Sequence, residues 1–147
     1  KFQTARNWMP APVVEINRKA SIGVIAYGTT HWAVLESRDQ IHGEADVQTS
    51  YYRLRAYPFR TAMASFIERH ERVYVVEQNR DAQMLSLMKL DLPAELASRL
   101  RSVLHYSGNP IDARTITESI LIQEGYRVQK ADADTSRVPR QAGVGAE

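Results

Sequence analysis

The feature that most constrains this chain is an apolar run that leads straight into a polar turn and then into a helix. Residues 73–76 are three valines and a tyrosine, which is typical of a strand covered on both faces of a parallel sheet. Residues 77–81 then place two acids, an amide pair and an arginine where that strand ends. Because ligands and partner surfaces gather at the carboxyl ends of strands in open α/β sheets, the segment predicts an α/β domain with a polar contact edge.

Strands and helices are predicted to alternate along the chain. Apolar and β-branched residues predict strands at residues 22–27, 47–57 and 103–106. Short connections between alternating elements indicate a mostly parallel sheet with helices on both faces. We therefore predict a three-layer αβα sandwich with about four or five strands. Apolar residues at helical spacing mark the helices, which carry Ala33 and Val34, Ala62 and Met63, Met84 and Leu87, Leu96 and Leu100, and Ala113 and Ile116.

The chain is expected to contain one folded domain with extensions on both sides. A length of 147 residues with 44% hydrophobic residues suits a single core. Residues 1–19, whose Pro10 and Pro12 interrupt any helix, are predicted to be a linker from a preceding domain. Residues 20–128 are the predicted domain, and the polar residues 129–147 are a predicted disordered tail. Because residue 1 is Lys1, we expect a fragment or a processed piece of a longer polypeptide.

Composition narrows the possible functions. The absence of cysteine excludes disulfides, thiolate zinc sites, iron–sulfur ligation and a cysteine nucleophile. A net charge of +2 gives no strong reason to expect binding to nucleic acid or to a membrane surface. No apolar run approaches the roughly 20 residues of a membrane span, and no signal peptide is visible. We therefore expect a cytoplasmic protein.

The polar edge supplies the best candidate functional residues. Glu77, Asn79, Arg80 and Gln83 are more polar groups than one helix cap requires, so they are predicted to contact another domain or subunit. Capping by Asn79 or Asp81 is the simpler alternative. Arg55 joins the predicted interface. Arg53 and Arg55 alternate on one face of the second strand, where burial would require a partner for both, or they mark the edge of the sheet.

The histidines and glycines give weaker indications of function. The four histidines have no spacing typical of a metal site and are interpreted as solvent-facing or capping residues, with a core or sheet-end role for His105. The segment that follows Gly28 lacks the three glycines of a dinucleotide-binding loop, so a tight strand-to-helix turn is the better interpretation. No catalytic, cofactor-binding or metal-binding residue is predicted in this chain.

Four blocks of sequence, in this order, resemble a known family. They are residues 22–30 (IGVIAYGTT), 53–59 (RLRAYPF), 75–83 (VVEQNRDAQ) and 103–111 (VLHYSG, then Pro110 and Ile111). The series is similar to the C-terminal part of the alpha subunit of 2-oxoacid:ferredoxin oxidoreductases, particularly the 2-oxoglutarate type. That part is a transketolase C-terminal-like domain, and the resemblance covers about residues 1–123.

The resemblance implies a role within a larger enzyme. Such enzymes decarboxylate a 2-oxoacid on thiamine diphosphate, pass two electrons through iron–sulfur clusters to ferredoxin, and transfer the acyl group to coenzyme A. Thiamine diphosphate, Mg²⁺ and the [4Fe–4S] clusters belong to other domains of the alpha subunit and to a beta subunit. This sequence has no Gly-Asp-Gly motif for Mg²⁺ and diphosphate. We therefore expect a non-catalytic domain that supports domain and subunit assembly.

Two alternatives stay open at this stage. A stand-alone protein-interaction module could use the same polar edge to bind an acidic partner. The chain could also be the equivalent domain of an NAD-linked oxoacid dehydrogenase or of a transketolase.

Overall fold

The computed structural model describes residues 4–5 and 8–128 of the chain. Within these residues, each strand from β2 onward is followed by one helix, or by two after β4, with short connections, as the hydrophobic pattern predicts. The elements in chain order are β1 Val13–Glu15, β2 Ile22–Tyr27, α1 Thr30–Ala45, β3 Thr49–Leu54, α2 Thr61–Glu68, β4 Arg72–Glu77, α3 Gln83–Asp91, α4 Ala94–Ala97, β5 Leu100–Leu104 and α5 Ala113–Gln123.

The sheet formed by the described residues has five strands in the order β1-β3-β2-β4-β5. Strands β2 to β5 are parallel, and β1 joins the outer edge of β3 in the antiparallel direction. The chain passes from β2 to β3 on one side and then crosses back over β2 to β4. The loops after β2 and β4 therefore diverge at a topological switch point, where α/β sheets commonly open a crevice.

Helices cover both faces of the sheet, so the predicted three-layer α/β sandwich is confirmed. The central strands are buried on both faces, which explains their nearly continuous apolar sequence. One core layer, against α1 and α5, includes Val24, Tyr51, Tyr74, Val76 and Ile116. The other, against α2 and α3, includes Ile25, Tyr52, Phe66, Val75 and Met88.

Gly23 lets α2 pack closely on the centre of the sheet. A Cβ atom at this position would lie 2.7 Å from Cε1 of Phe66 and 3.2 Å from Nδ1 of His70. Both of those side chains are buried. The glycine is therefore required by close packing and not by an unusual backbone conformation.

Several element boundaries differ from the sequence prediction. The second strand, predicted at residues 47–57, is the shorter β3, and Leu100, predicted on a helix, is the first residue of β5. Val13–Glu15 lies inside the predicted linker 1–19 but forms β1, so this part of the linker is in the sheet. Its three residues are exposed, which leaves no apolar alternation for sequence analysis to detect. The last strand was predicted at residues 103–106 but is Leu100–Leu104, because the polar Arg101 and Ser102 interrupt its apolar pattern. The predicted tail, residues 129–147, lies outside the described residues.

Among the described residues, none of the helices combines the length and the apolar character needed to cross a membrane.

Candidate functional site

The polar turn after β4 is built around a buried glutamate. Glu77, the last residue of β4, is fully buried and its carboxyl group points at the start of α3. Oε1 accepts a hydrogen bond from the backbone N–H of Met84 at 2.7 Å, and Oε2 accepts one from the N–H of Leu85 at 3.2 Å. These are N–H groups that the first turn of a helix leaves without a partner. Glu77 therefore caps α3 from the end of the preceding strand.

Asn79 fixes the shape of the same turn. Its Nδ2 donates to Oε1 of Glu77 at 3.0 Å, and its Oδ1 accepts from the N–H of Asp81 at 3.1 Å. A longer bond from the N–H of Gln83 to Oδ1 measures 3.4 Å. Ala82, which closes the turn, has a left-handed backbone with φ of 50°. The turn is thus held by side-chain hydrogen bonds in a conformation that an alanine alone would disfavour.

The predicted interface residues fall into two groups. Arg80 and Gln83 are exposed at the tip of the turn, and Arg80 pairs with the exposed Asp81 at 3.0 Å. Glu77 is fully buried within the chain, where it holds the turn from inside, and a contact between Glu77 and a partner stays a prediction. Its burial depends on backbone groups seven and eight residues further along the chain, which no local pattern reveals. Asn79 is half-buried and faces Glu77.

Arg55, the remaining predicted interface residue, lies just after β3. It is exposed, and its guanidinium donates to the carbonyl oxygen of Ala11 at 3.4 Å. Arg60 donates to the carbonyl of Met9 at 2.5 Å. Both arginines therefore hold the segment that leads into β1 against the end of β3. A contact between Arg55 and another subunit stays a prediction.

Gln78 links three loops at the carboxyl end of the sheet. Its Nε2 donates to Oγ1 of Thr30 at 3.0 Å, at the start of α1. Its Oε1 accepts from the N–H of Ile111 at 3.3 Å, in the loop before α5. Beside Gln78 a cleft of about 480 Å³ opens toward solvent. It is lined by Thr29, Gln78, His105, Tyr106, Gly108, Asn109 and Pro110.

The cleft does not contain an activated serine. Nε2 of His105 lies 2.8 Å from the carbonyl oxygen of Asn109 and 3.0 Å from Oγ of Ser107. A carbonyl can only accept, so the Nε2 proton is donated to Asn109. That nitrogen then has no lone pair with which to take a proton from Ser107, as a serine nucleophile requires. The carboxylate of Asp112 instead caps α5 through the N–H of Thr115, and this bond holds its pKa below the ordinary value.

Tyr27, the last residue of β2, lies beside Glu77 and Asn79 of the polar turn after β4. Burial, and then the nearby Glu77, raise the pKa of Tyr27 above its ordinary value. The phenol therefore stays protonated and supplies a hydrogen-bond donor next to Glu77 and Asn79. The carboxyl ends of β2 and β4 are joined in this way by polar side chains.

A second carboxyl group, which sequence analysis missed, lies at the opposite end of β4 on a side chain that is only 8% exposed. Glu124, at the end of α5, accepts two bonds from Arg72 at 2.7 and 2.8 Å and one from the Tyr74 hydroxyl at 2.6 Å. Burial alone would raise the pKa of Glu124, but the hydrogen bonds from Arg72 and Tyr74 hold it below its ordinary value. Burial and the bond to Glu124 raise the pKa of Tyr74. An arginine on a strand and a glutamate about fifty residues later give no sequence signal of this pairing.

The four histidines occupy different environments. His31 lies 3.1 Å from the hydroxyl of Tyr51, and burial lowers its pKa. His42 is exposed near Asp46, as interpreted. His70 is a core residue, contrary to the interpretation as solvent-facing or capping, and its Nδ1 donates to the carbonyl of Phe66 at 2.7 Å. In the part of the chain that the structure describes, no group of three or more histidine, aspartate or glutamate side chains could hold a metal ion.

The fold and this edge together define an α/β domain with a mostly parallel sheet and a polar turn that projects outward from its carboxyl end. The sequence matches no protein-family model and no curated protein.

Solved structures with similar folds do exist. A 2-oxoglutarate:ferredoxin oxidoreductase from Magnetococcus marinus, with 2-oxoglutarate, coenzyme A and succinyl-CoA bound, aligns with a TM-score of 0.70 and 17% identity over 82% of this chain. A split-gene transketolase, described as an inactive beta4 tetramer, aligns with a TM-score of 0.59 and 12% identity over 76% of this chain.

The aligned region is a small part of each of those proteins. It spans 21% of the oxidoreductase chain and 40% of the transketolase chain. The transketolase-like fold expected from the resemblance is therefore confirmed, at the level of one domain.

Proposed function

We propose that this chain is a non-catalytic domain of a thiamine-diphosphate-dependent 2-oxoacid:ferredoxin oxidoreductase. The observation that carries the proposal is the fold likeness to the 2-oxoglutarate:ferredoxin oxidoreductase, with a TM-score of 0.70. The order of the four sequence blocks supports the same family independently of the structure. The substrate would be 2-oxoglutarate, and the products succinyl-CoA, CO₂ and reduced ferredoxin.

The reaction itself is assigned to other parts of the assembly. Thiamine diphosphate, Mg²⁺ and iron–sulfur clusters would be held by the remaining domains and by a beta subunit. Cluster ligation requires thiolates, and this chain has no cysteine. The residues that cap and brace the carboxyl end here, such as Glu77 and Gln78, are committed to hydrogen bonds within the domain. They support a structural role.

The role that the geometry supports best is to present a rigid contact surface. Glu77 and Asn79 hold the turn after β4 from inside, which leaves Arg80 and Gln83 exposed on a fixed backbone. A preorganised surface loses less conformational entropy when a partner binds. Arg80 and Gln83 are accordingly proposed to contact a neighbouring domain or the beta subunit.

The test compares the native assembly with the isolated chain. The assembly that contains this chain would be purified from its source cells, weighed by native mass spectrometry, and assayed for ferredoxin reduction that depends on 2-oxoglutarate and coenzyme A. We expect activity in the assembly and none in the isolated chain, which should also fail to bind thiamine diphosphate in calorimetry. Micromolar binding of that cofactor to the isolated chain, or an assembly inert toward 2-oxoglutarate, would overturn the proposal.

A second candidate is the corresponding domain of a transketolase, favoured by the fold likeness with a TM-score of 0.59. The same purified assembly distinguishes the two. Two-carbon transfer between sugar phosphates, with no ferredoxin reduction, would favour the transketolase. Reduction of NAD in place of ferredoxin would instead indicate an NAD-linked oxoacid dehydrogenase.

A further inference from the structure

The outer edge of β1 has backbone groups that face away from the sheet. The N–H of Asn17, two residues after β1, donates to Oγ of Ser50 on β3 at 3.1 Å, and the carbonyl of Asn17 accepts from the same hydroxyl at 3.4 Å. Both the N–H and the C=O of Asn17 therefore point toward β3. Because these directions alternate along an extended antiparallel strand, the N–H and C=O groups of Val14 and Ile16 point outward. By the same alternation Pro12 would also face outward, but proline has no N–H to donate.

A groove runs beside this edge, between β1 and α2. Its volume is about 630 Å³, and its apolar lining comes from Val14, Ile16, Ala62 and Phe66. Val14 and Ile16 are 41% and 45% exposed. Val14 pairs with Tyr52, whose side chain belongs to the core layer beneath α2, so Val14 and Ile16 face the α2 side. An extended segment along β1 would thus find backbone partners and apolar side chains on the same edge.

The charges of the groove are all of one sign. Arg18 and Arg69 line it and are exposed. Neither side chain makes an ion pair or hydrogen bond with any residue that the structure describes. None of the residues that line the groove is acidic. The groove therefore complements a carboxylate.

A second copy of this chain fits the groove poorly. Pairing β1 with β1 of another copy around a two-fold axis would bring two more arginines to the same face and no acid from the groove lining. Glu15 lies on the opposite face, where it pairs with Arg38 at 2.7 Å. Like charges brought together across a strand pair are destabilising.

We propose that β1 and this groove bind an extended segment of another polypeptide as an added strand. Apolar side chains of that segment pack on Val14 and Ile16, and an acidic side chain two residues away reaches Arg18 and Arg69. Backbone hydrogen bonds supply affinity, and the carboxylate supplies selectivity. The proposal does not depend on the oxidoreductase assignment, since the surface lies at the sheet edge and away from the turn after β4.

The probe is a seven-residue peptide, acetyl-Glu-Thr-Val-Thr-Val-Thr-Glu-amide, which presents an acid at either end and so suits both strand directions. Its matched control replaces both glutamates with lysine. Binding to the full chain is followed by nuclear magnetic resonance, with shift changes expected at Val14, Ile16 and Arg69. We expect the acidic peptide to bind about tenfold or more tightly than the lysine peptide, and its affinity to fall with added salt.

Two variants test the two parts of the surface. Arg18→Ala combined with Arg69→Ala should remove the preference for the acidic peptide, whereas the charge-matched control Lys89→Ala with Arg127→Ala should retain it. Val14→Pro removes one outward N–H and should therefore weaken the binding of both peptides. Its unfolding midpoint should stay within the range of the other variants. Equal affinity for both peptides, shift changes elsewhere, or a dimer of this chain that Val14→Pro dissociates would each overturn the proposal.

Discussion

The two ends of β4 each bury a carboxyl group, but they satisfy it differently. At the amino end, Glu124 is paired with the side chains of Arg72 and Tyr74. At the carboxyl end, Glu77 is satisfied chiefly by the backbone N–H groups of α3. The first arrangement joins α5 to the sheet by charge. The second fixes the path of one turn and leaves Arg80 exposed at its tip.

The difference shows two uses of a buried carboxyl group, one that joins distant elements and one that fixes the path of a turn. A charged pair between two distant elements stabilises their packing but does not position any exposed side chain. A carboxyl group that caps the next helix uses one buried residue to position several exposed ones. The carboxyl end of the sheet is therefore the end at which a partner would find a preformed turn.

The largest expected effect is that of Glu77→Ala. The change leaves the N–H groups of Met84 and Leu85 without their acceptors at a buried site and should lower the free energy of unfolding by about 3 kcal/mol. Urea denaturation of the full chain measures this. Asp81→Ala, an exposed acid in the same turn, is the control and should cost less than about 0.5 kcal/mol. A loss below about 1 kcal/mol for Glu77→Ala would contradict the capping role.

Glu124→Gln should have a somewhat smaller effect that depends on pH. At pH 7 the variant should lose about 2 kcal/mol, because hydrogen bonds to a charged group are stronger than neutral ones. The folded-state pKa of Glu124 lies below the ordinary value of 4.5. As the pH falls, the unfolded state therefore binds the proton of Glu124 before the folded state does. The extra stability of the native chain is complete above pH 4.5 and is lost as the pH falls through the folded-state pKa of Glu124.

The measurement is the free energy of unfolding of both proteins between pH 3 and pH 7. Glu118→Gln, in a half-exposed pair with Arg114 one helical turn away, serves as the control and should change little. Curves for the native chain and Glu124→Gln that stay parallel down to the lowest pH would show that Glu124 does not contribute through its charge.

The smallest expected effect on stability is at the tip of the turn. Arg80→Ala and Gln83→Ala should each change the free energy of unfolding by less than about 0.5 kcal/mol, as surface substitutions usually do. In the native assembly, the same changes should weaken association by about 2 kcal/mol or more if the tip is desolvated by a partner. Lys89→Ala, on the exposed surface of α3, is the matched control for association. Unchanged assembly for both variants would leave the turn as a helix cap alone.

Sequence analysis predicted the parts of this domain whose burial is continuous along the chain. Strands β2 and β4 are buried on both faces, so their apolar runs predicted them well. Strand β1 was missed because its position depends on pairing with β3 and not on its own exposed residues. The alternation of these strands with helices predicted the three-layer sandwich, and the resemblance added the likeness to the transketolase C-terminal domain.

The polar turn was predicted as a feature, but the roles of its residues were only partly predicted. Its location after β4 follows from the sequence order of strand, polar segment and helix. Whether Glu77 points inward depends on where α3 begins relative to the strand end, and this is a property of the three-dimensional turn. The same limitation hid the pairing of Arg72 with Glu124, which lies at a distance along the chain and within a few ångströms in space.

The close packing at Gly23 also limits the order in which this sequence can evolve. A methyl group at residue 23 would overlap the ring of Phe66, whereas a smaller side chain at residue 66 would leave a cavity. Each change is unfavourable alone, and together they compensate in part because one fills the space that the other vacates. Residues 23 and 66 therefore form a linked pair, in which a larger residue 23 is better tolerated beside a smaller residue 66 than beside phenylalanine.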